Sequence, residues 1–226
     1  RFANLKPAAE DFRIFWDNAY AIHHLYDDKQ DQLIEILDAC TKAGNPDMVF
    51  KFCSTSKVTF PGSGIAALGA STNNLDFVKK IMTVQTIGHD KLNQLRHVRY
   101  FGDINGMKNH MKKHAEILRP KFEKVIAVLD KEIGNLGIAN YTKPKGGYFI
   151  SLTTLDNQAS GVIARCKELG VSLTPAGSAF PYHKDPKDNN IRLAPSCLSV
   201  EELEVATTIL TLVIKEKAIE KTLNTK

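Results

Sequence analysis

Two short apolar runs, each closing on a cluster of polar groups, constrain this chain more than any other feature. Residues 12–16 read Phe-Arg-Ile-Phe-Trp and end on Asp17-Asn18-Ala19-Tyr20. Residues 47–53, introduced by Asn45-Pro46, are largely apolar and end on Ser54-Thr55-Ser56-Lys57. Short apolar runs bounded by turn-forming residues read as strands. Between them, the stretch from about Asp31 to Ala43 puts Leu33, Ile36, Leu37 and Cys40 on one face of a helix. A strand, a crossover helix and a second strand place the two strands side by side and parallel. Asp17 and the Ser54–Lys57 cluster then fall at neighbouring carboxyl ends, where open α/β sheets keep their ligands. The expected class is α/β.

Downstream, Ile65 to Ala70 reads as a third buried strand, and Asn74 to Ile81 as a helix capped by the polar run Ser71–Asn74. A long helical pattern runs from Asp103 to about Gly134 and is interrupted by Pro120, which lacks a backbone donor and predicts a kink and a hinge. The expected division is therefore a larger domain over 1–112 and a smaller one over 113–226. In the smaller one, Pro144-Lys145-Gly146-Gly147 turns into a strand at Tyr148–Leu152, followed by a helix at Gly161–Leu169 capped by Gly170. Further strands are expected at Val171–Thr174 and around Asn190–Pro195. Ser199 and Glu202 form a capping box before a helix with Leu203, Ala206, Ile209, Leu210 and Val213 in helical period. Three strands under two helices make a small α+β domain.

With 43% apolar residues in 226, the chain can bury a substantial core. Its net charge of +5 comes from lysines scattered along the sequence, with a modest cluster at Lys108, Lys112 and Lys113, so neither nucleic acid nor a membrane is expected as a partner. Cys40, Cys53, Cys166 and Cys197 lack paired or metal-type spacing, which predicts reduced thiols and a cytoplasmic setting. No metal is expected. The group His23, His24, Asp27 and Asp28 reads as a solvated loop, and His110 with His114, spaced i, i+4 but with lysines between them, as a solvated helix face.

A lysine on a rigid strand end is placed to lose solvent, leaving a neutral amine able to attack a carbonyl. The pair strand-Asp-x-x-Tyr (Asp17, Tyr20) and strand-Ser-x-x-Lys (Ser54, Lys57) resembles the pyridoxal-phosphate aminotransferases of fold type I. The likeness is greatest to the atypical aspartate aminotransferase (MocR-like) subgroup. It extends along the whole chain, because Pro-x-Gly-Gly-Tyr-Phe, Thr-Pro-Ala-Gly-Ser and Asn-x-Arg follow in the order of that family's small domain. The resemblance implies the C-terminal part of a three-layer, mostly parallel large domain plus a small α+β domain. The chain starts without the opening βα units of such an enzyme, so an N-terminal half of the same protein is expected.

By the same resemblance, pyridoxal 5'-phosphate is the cofactor and Lys57 carries it as a Schiff base, then moves the proton between substrate Cα and cofactor. Asp17 would pair with the pyridine nitrogen, Tyr20 with the phenolic oxygen, and Ser54 with the phosphate. Arg192 would hold the substrate α-carboxylate, which a planar guanidinium grips through two parallel hydrogen bonds. One departure stands out. The family's arginine after the lysine has no counterpart, since residues 58–95 contain none and Ser63-Gly64 occupies the corresponding place. Phosphate binding is then expected to fall to Ser54, Ser63, Gly64 and nearby backbone amides. The implied activity is transfer of an amino group from an amino acid to a 2-oxo acid by a homodimer, with aspartate as substrate on subgroup resemblance alone. An effector-sensing domain of a transcriptional regulator and an inactive fragment of the enzyme are the alternatives.

Overall fold

A computed structural model describes residues 1–224. It comprises two compact units: Arg1–Ile22 with Asp31–Lys112, and His23–Gln30 with the chain from Lys113 onward.

The first unit is built on a three-stranded sheet in the order β1-β2-β3. Strands β1 (Ile14–Asp17) and β2 (Val49–Ser54) pair in parallel, with Ile14 opposite Val49 and Asp17 opposite Phe52. This is the expected crossover arrangement. Helix α1 (Ile36–Lys42) makes the crossover, starting where Glu35 accepts the Leu37 N–H at 3.1 Å. It is shorter than the Asp31–Ala43 expectation because Leu33 and Ile34 are 68% and 81% exposed. An apolar residue with nothing to pack against adds little to a short helix. One sheet face carries Ile14, Trp16 and Val49 against Ile36, Leu37 and Cys40 of α1.

Strand β3 (Ala66–Gly69) is not the buried strand expected: it runs antiparallel to β2, and Ala66 and Ala67 are exposed. It is paired on one side only among the described residues. Helix α2 (Thr72–Gln85) starts at Ser71, whose hydroxyl accepts the Asn74 N–H at 3.3 Å. A further helix, α3 (Lys91–Phe101), was not anticipated. Its end signals are plain, with Asp90 accepting the Asn93 N–H and Gly102 at φ +70°, but its apolar residues Leu92, Leu95 and Val98 point outward and mask the period.

Helix α4 (Ile104–Ile133) runs on through Pro120. In the second unit its residues Phe122, Leu129 and Ile133 enter a core shared with Ile150 and Leu152 of β5 (Ile150–Thr154) and Ile191 and Leu193 of β6 (Asn190–Leu193). Helices α5 (Ala159–Glu168) and α6 (Val200–Asn224) complete it with Val162, Cys166, Leu210, Val213 and Ile214. The sheet is antiparallel throughout in the order β4-β5-β6, where β4 is Ala139–Tyr141. Three strands are present, as expected, but Val171–Thr174 is not one of them. The Val171 N–H closes the end of α5 on the Cys166 carbonyl at 2.8 Å, so its donor is spent while Val171 and Leu173 pack on the core. The capping box forms as read: Glu202 accepts the Ser199 N–H at 2.8 Å and Ser199 Oγ accepts the Glu202 N–H at 3.2 Å.

The expected solvated loop at His23–Asp28 is instead anchored. His23 and Leu25 are buried, the Leu25 N–H bonds to the Lys145 carbonyl, and the Gly147 N–H bonds to the His23 carbonyl, each at 2.8 Å. Gly146 admits no side chain there, because a Cβ would sit 2.7 Å from the His23 carbonyl oxygen.

Candidate active site

After Ser54 the chain leaves β2 in a single turn, in which Val58 and Thr59 donate their N–H groups to the Thr55 carbonyl at 2.9 and 2.8 Å. The turn buries Val58, 2% exposed, and thereby directs its neighbour Lys57 outward. Lys57 is exposed, so the desolvation expected of it is not supplied by the packing of this turn. The Ser54 hydroxyl accepts the Ser56 N–H at 3.0 Å and lies 2.9 Å from the Ser56 hydroxyl, which sets two hydroxyls side by side.

The returning loop closes over this pair. Gly62 takes φ +81°, and Ser63 and Gly64 are tied by their carbonyls to the Asn93 side-chain amide at 2.9 and 3.3 Å. A Cβ on Gly64 would lie 2.8 Å from Ser56 Oγ and 2.9 Å from Ser56 N, so only glycine lets the loop approach so near. Ser56 joins the phosphate candidates; the Ser-x-Ser spacing was the available signal.

Asp17 ends β1. The ladder continues one residue further, with the Asn18 N–H on the Phe52 carbonyl at 2.8 Å, and Asp17 Oδ1 accepts the Ala19 N–H at 3.1 Å. The pairings Asp17–Phe52 and Ser54–Ala66 put Phe15, Asp17, Phe52, Ser54, Ala66 and Leu68 on the sheet face opposite α1. All six line one cavity of about 890 Å³, together with Gly64. The structure thus gathers Asp17, Ser54 and Gly64, whereas Lys57, Tyr20 and Ser63 lie outside that lining. The lining sets the Ser54 hydroxyl and the side-chain-free Gly64 at one end and a carboxylate with aromatic rings, Asp17, Phe15 and Phe52, along the floor.

Arg192 belongs to the second unit. Opposite Ser151 on β6, it stands on the face away from Ile191 and Leu193 and lays its guanidinium over the Phe149 ring, 4.7 Å from the centroid. Its Nε is buried without a hydrogen-bond partner among the described residues. Such a donor is costly to leave unmade and favours an anionic acceptor.

His110 is not on a solvated face: its Nε2 lies 2.8 Å from the Val58 carbonyl, inside the Lys57 turn. His97 reaches the same turn. Among the described residues no group of three or more His, Cys, Asp or Glu side chains could hold a metal ion, and no helix is long and apolar enough to cross a membrane.

The family model described as aspartate amino-transferase matches residues 1–226. An aspartate aminotransferase of Corynebacterium glutamicum is 46% identical over 206 residues, which are 91% of this chain and 48% of that protein. A solved aspartate transaminase from the same species superposes with a TM-score of 0.90 at 44% identity, covering 94% of this chain and 50% of the other. The α-aminoadipate aminotransferase of Thermus thermophilus, solved with N-(5'-phosphopyridoxyl)-L-leucine, shares the fold with a TM-score of 0.71 at 23% identity, over 90% of this chain and 50% of its own. The chain therefore spans about half the length of the relatives it matches, and over that span its sequence and its α/β fold agree with theirs: it belongs to the aspartate aminotransferase family.

Proposed function

We propose that these residues form part of a pyridoxal-phosphate-dependent aminotransferase that moves an amino group from an amino acid to a 2-oxo acid. The observation that carries this reading is the convergence of Asp17, Ser54 and Gly64 on one cavity at the sheet end, beside the turn that bears Lys57. When bound, the cofactor supplies an aldehyde carbon for amine attachment and a ring that takes up the electron pair left on the substrate Cα. Lys57 would be the attachment amine and the base and acid that carries the substrate Cα proton. Asp17 holds a proton at the pyridine nitrogen, and Tyr20 donates to the phenolic oxygen. Ser54, Ser56, Ser63 and the open backbone at Gly64 take the phosphate in place of an arginine. Arg192 fixes the substrate α-carboxylate, and its unpartnered Nε supports that role.

On this reading the first unit is the cofactor-binding part of a large domain and the second the small domain, with a boundary near residue 112. Aspartate as amino donor is supported by the Corynebacterium glutamicum relative. A cytoplasmic homodimer accompanies the same reading. Incubation of the intact protein with pyridoxal phosphate, borohydride reduction and peptide mapping should place the adduct on Lys57. An adduct confined to any other lysine would refute the assignment.

A further inference from the structure

The turn bearing Lys57 is gripped by two histidine rings from different helices. His97, on α3, is 8% exposed, and its Nδ1 lies 2.9 Å from the Asn93 carbonyl oxygen. A carbonyl only accepts, so Nδ1 carries the hydrogen, and in the neutral ring Nε2 is an acceptor. It takes the Thr55 hydroxyl at 2.9 Å, with the Thr59 hydroxyl oxygen at 3.3 Å. Those hydroxyls are themselves tied into the turn: Thr55 Oγ1 accepts the Ile65 N–H at 2.9 Å, and Thr59 Oγ1 donates to the Thr55 carbonyl at 3.1 Å. His110, on α4, donates from Nε2 to the Val58 carbonyl at 2.8 Å and accepts the Tyr100 hydroxyl at Nδ1, 3.1 Å away. Phe101 lies against both rings, with centroid separations of 6.1 Å to His97 and 5.5 Å to His110.

Resting on the reading of Lys57 as the cofactor lysine, we propose that His97 and His110 are positioning residues that fix the direction in which Lys57 leaves the turn. Thr55 and Val58 bracket Ser56-Lys57, so anchoring them fixes the backbone on both sides of the lysine. A single turn held by two internal backbone hydrogen bonds frays easily. Bonds from α3 and α4 make the lysine's Cα–Cβ direction a property of two helices instead, as a functional group on a long side chain requires.

The test compares His97→Phe and His110→Phe, which keep a ring but lose its nitrogens, with His97→Gln and His110→Gln, which restore a polar group near Nε2. Each intact variant is treated with pyridoxal phosphate and borohydride, and the share of adduct on Lys57 relative to other lysines is mapped. Amide hydrogen exchange at Val58 and Thr59 is measured without cofactor, alongside the thermal midpoint. The Phe variants should lose Lys57 share by roughly two- to tenfold, the range one hydrogen bond spans, and exchange faster at both amides, while the Gln variants behave as wild type. Phe variants with wild-type labelling and exchange, or Gln variants as impaired as the Phe ones, would overturn the proposal and leave the rings a packing role. Should wild type itself label elsewhere, the Lys57 reading falls, and the exchange data alone decide whether the rings hold the turn. If His97→Phe does not fold, Thr55→Val removes the same contact from its other end, with Thr55→Ser as the rescue.

Discussion

Arg192 and Tyr141 show how a single side chain's surroundings set what it does. The Arg192 side chain stands on strand β6 with its guanidinium over the Phe149 ring, 4.7 Å from the centroid. Arg192→Lys keeps the charge but loses the fork, and kcat/KM of the intact enzyme should fall by roughly one to two orders of magnitude, the worth of a charge-assisted hydrogen bond. Thermal stability should change little, and an unchanged kcat/KM would remove Arg192 from the site. Tyr141 is perturbed for a structural reason. Burial first, and then its hydrogen bond to Asp130, push its phenol up to about 12. A raised value means that the folded state holds the proton more tightly. The contribution to stability is therefore complete below the ordinary tyrosine range and is lost as pH rises from there through about 12. Asp130 is held below the usual carboxylate range by Lys143 at 2.7 Å, then by Tyr141, so its contribution is present at neutral pH and lost in acid. Spectrophotometric titration of wild type against Tyr141→Phe should show one phenol missing from the high end of the curve. A missing phenol at about 10 would contradict the assignment.

Elements followed their local signals wherever those signals acted within one turn of chain. The capping box at the start of α6 involves residues three apart, and both of its hydrogen bonds form. Ser199→Ala should cost about 1 kcal/mol, measured by denaturant unfolding. No change would mean that this helix end is held by packing alone. Strand β2 and its polar tail were legible for a similar reason: an apolar run needs burial, and a Ser-Thr-Ser-Lys sequence ends it. The misreadings fall where a second element decided the outcome. Val171–Thr174 alternates like a strand, but its first donor is captured by α5. Leu33 fits the α1 stripe, yet it stands 68% exposed. Ala66 and Ala67 suggest burial, but β3 has a neighbour on one side only among the described residues.

Across the molecule, apolar surface is unevenly covered. In the first unit Phe15, Phe60, Phe77 and Val84 are between 62% and 86% exposed, and the Phe15 face of the sheet lines the open cavity. Large exposed apolar areas of this kind favour association. The 226-residue chain alone should elute above the 25.1 kDa expected of a monomer when light scattering is coupled to size exclusion; a monodisperse monomer would refute this. The βαβ core, the end of β2 at Ser54, the α6 cap and the resemblance carried by Asp17, Tyr20, Ser54 and Lys57 were legible from residue order, because each is written in neighbouring residues. That Asp17, Ser54 and Gly64 share a cavity, that Lys57 faces outward, and that His97 and His110 bond to its turn emerges from the packing of distant elements. Those two contacts span 42 and 52 residues of chain. A histidine's partners at such a distance depend on the path of every element between, and no local pattern of residue types records that path.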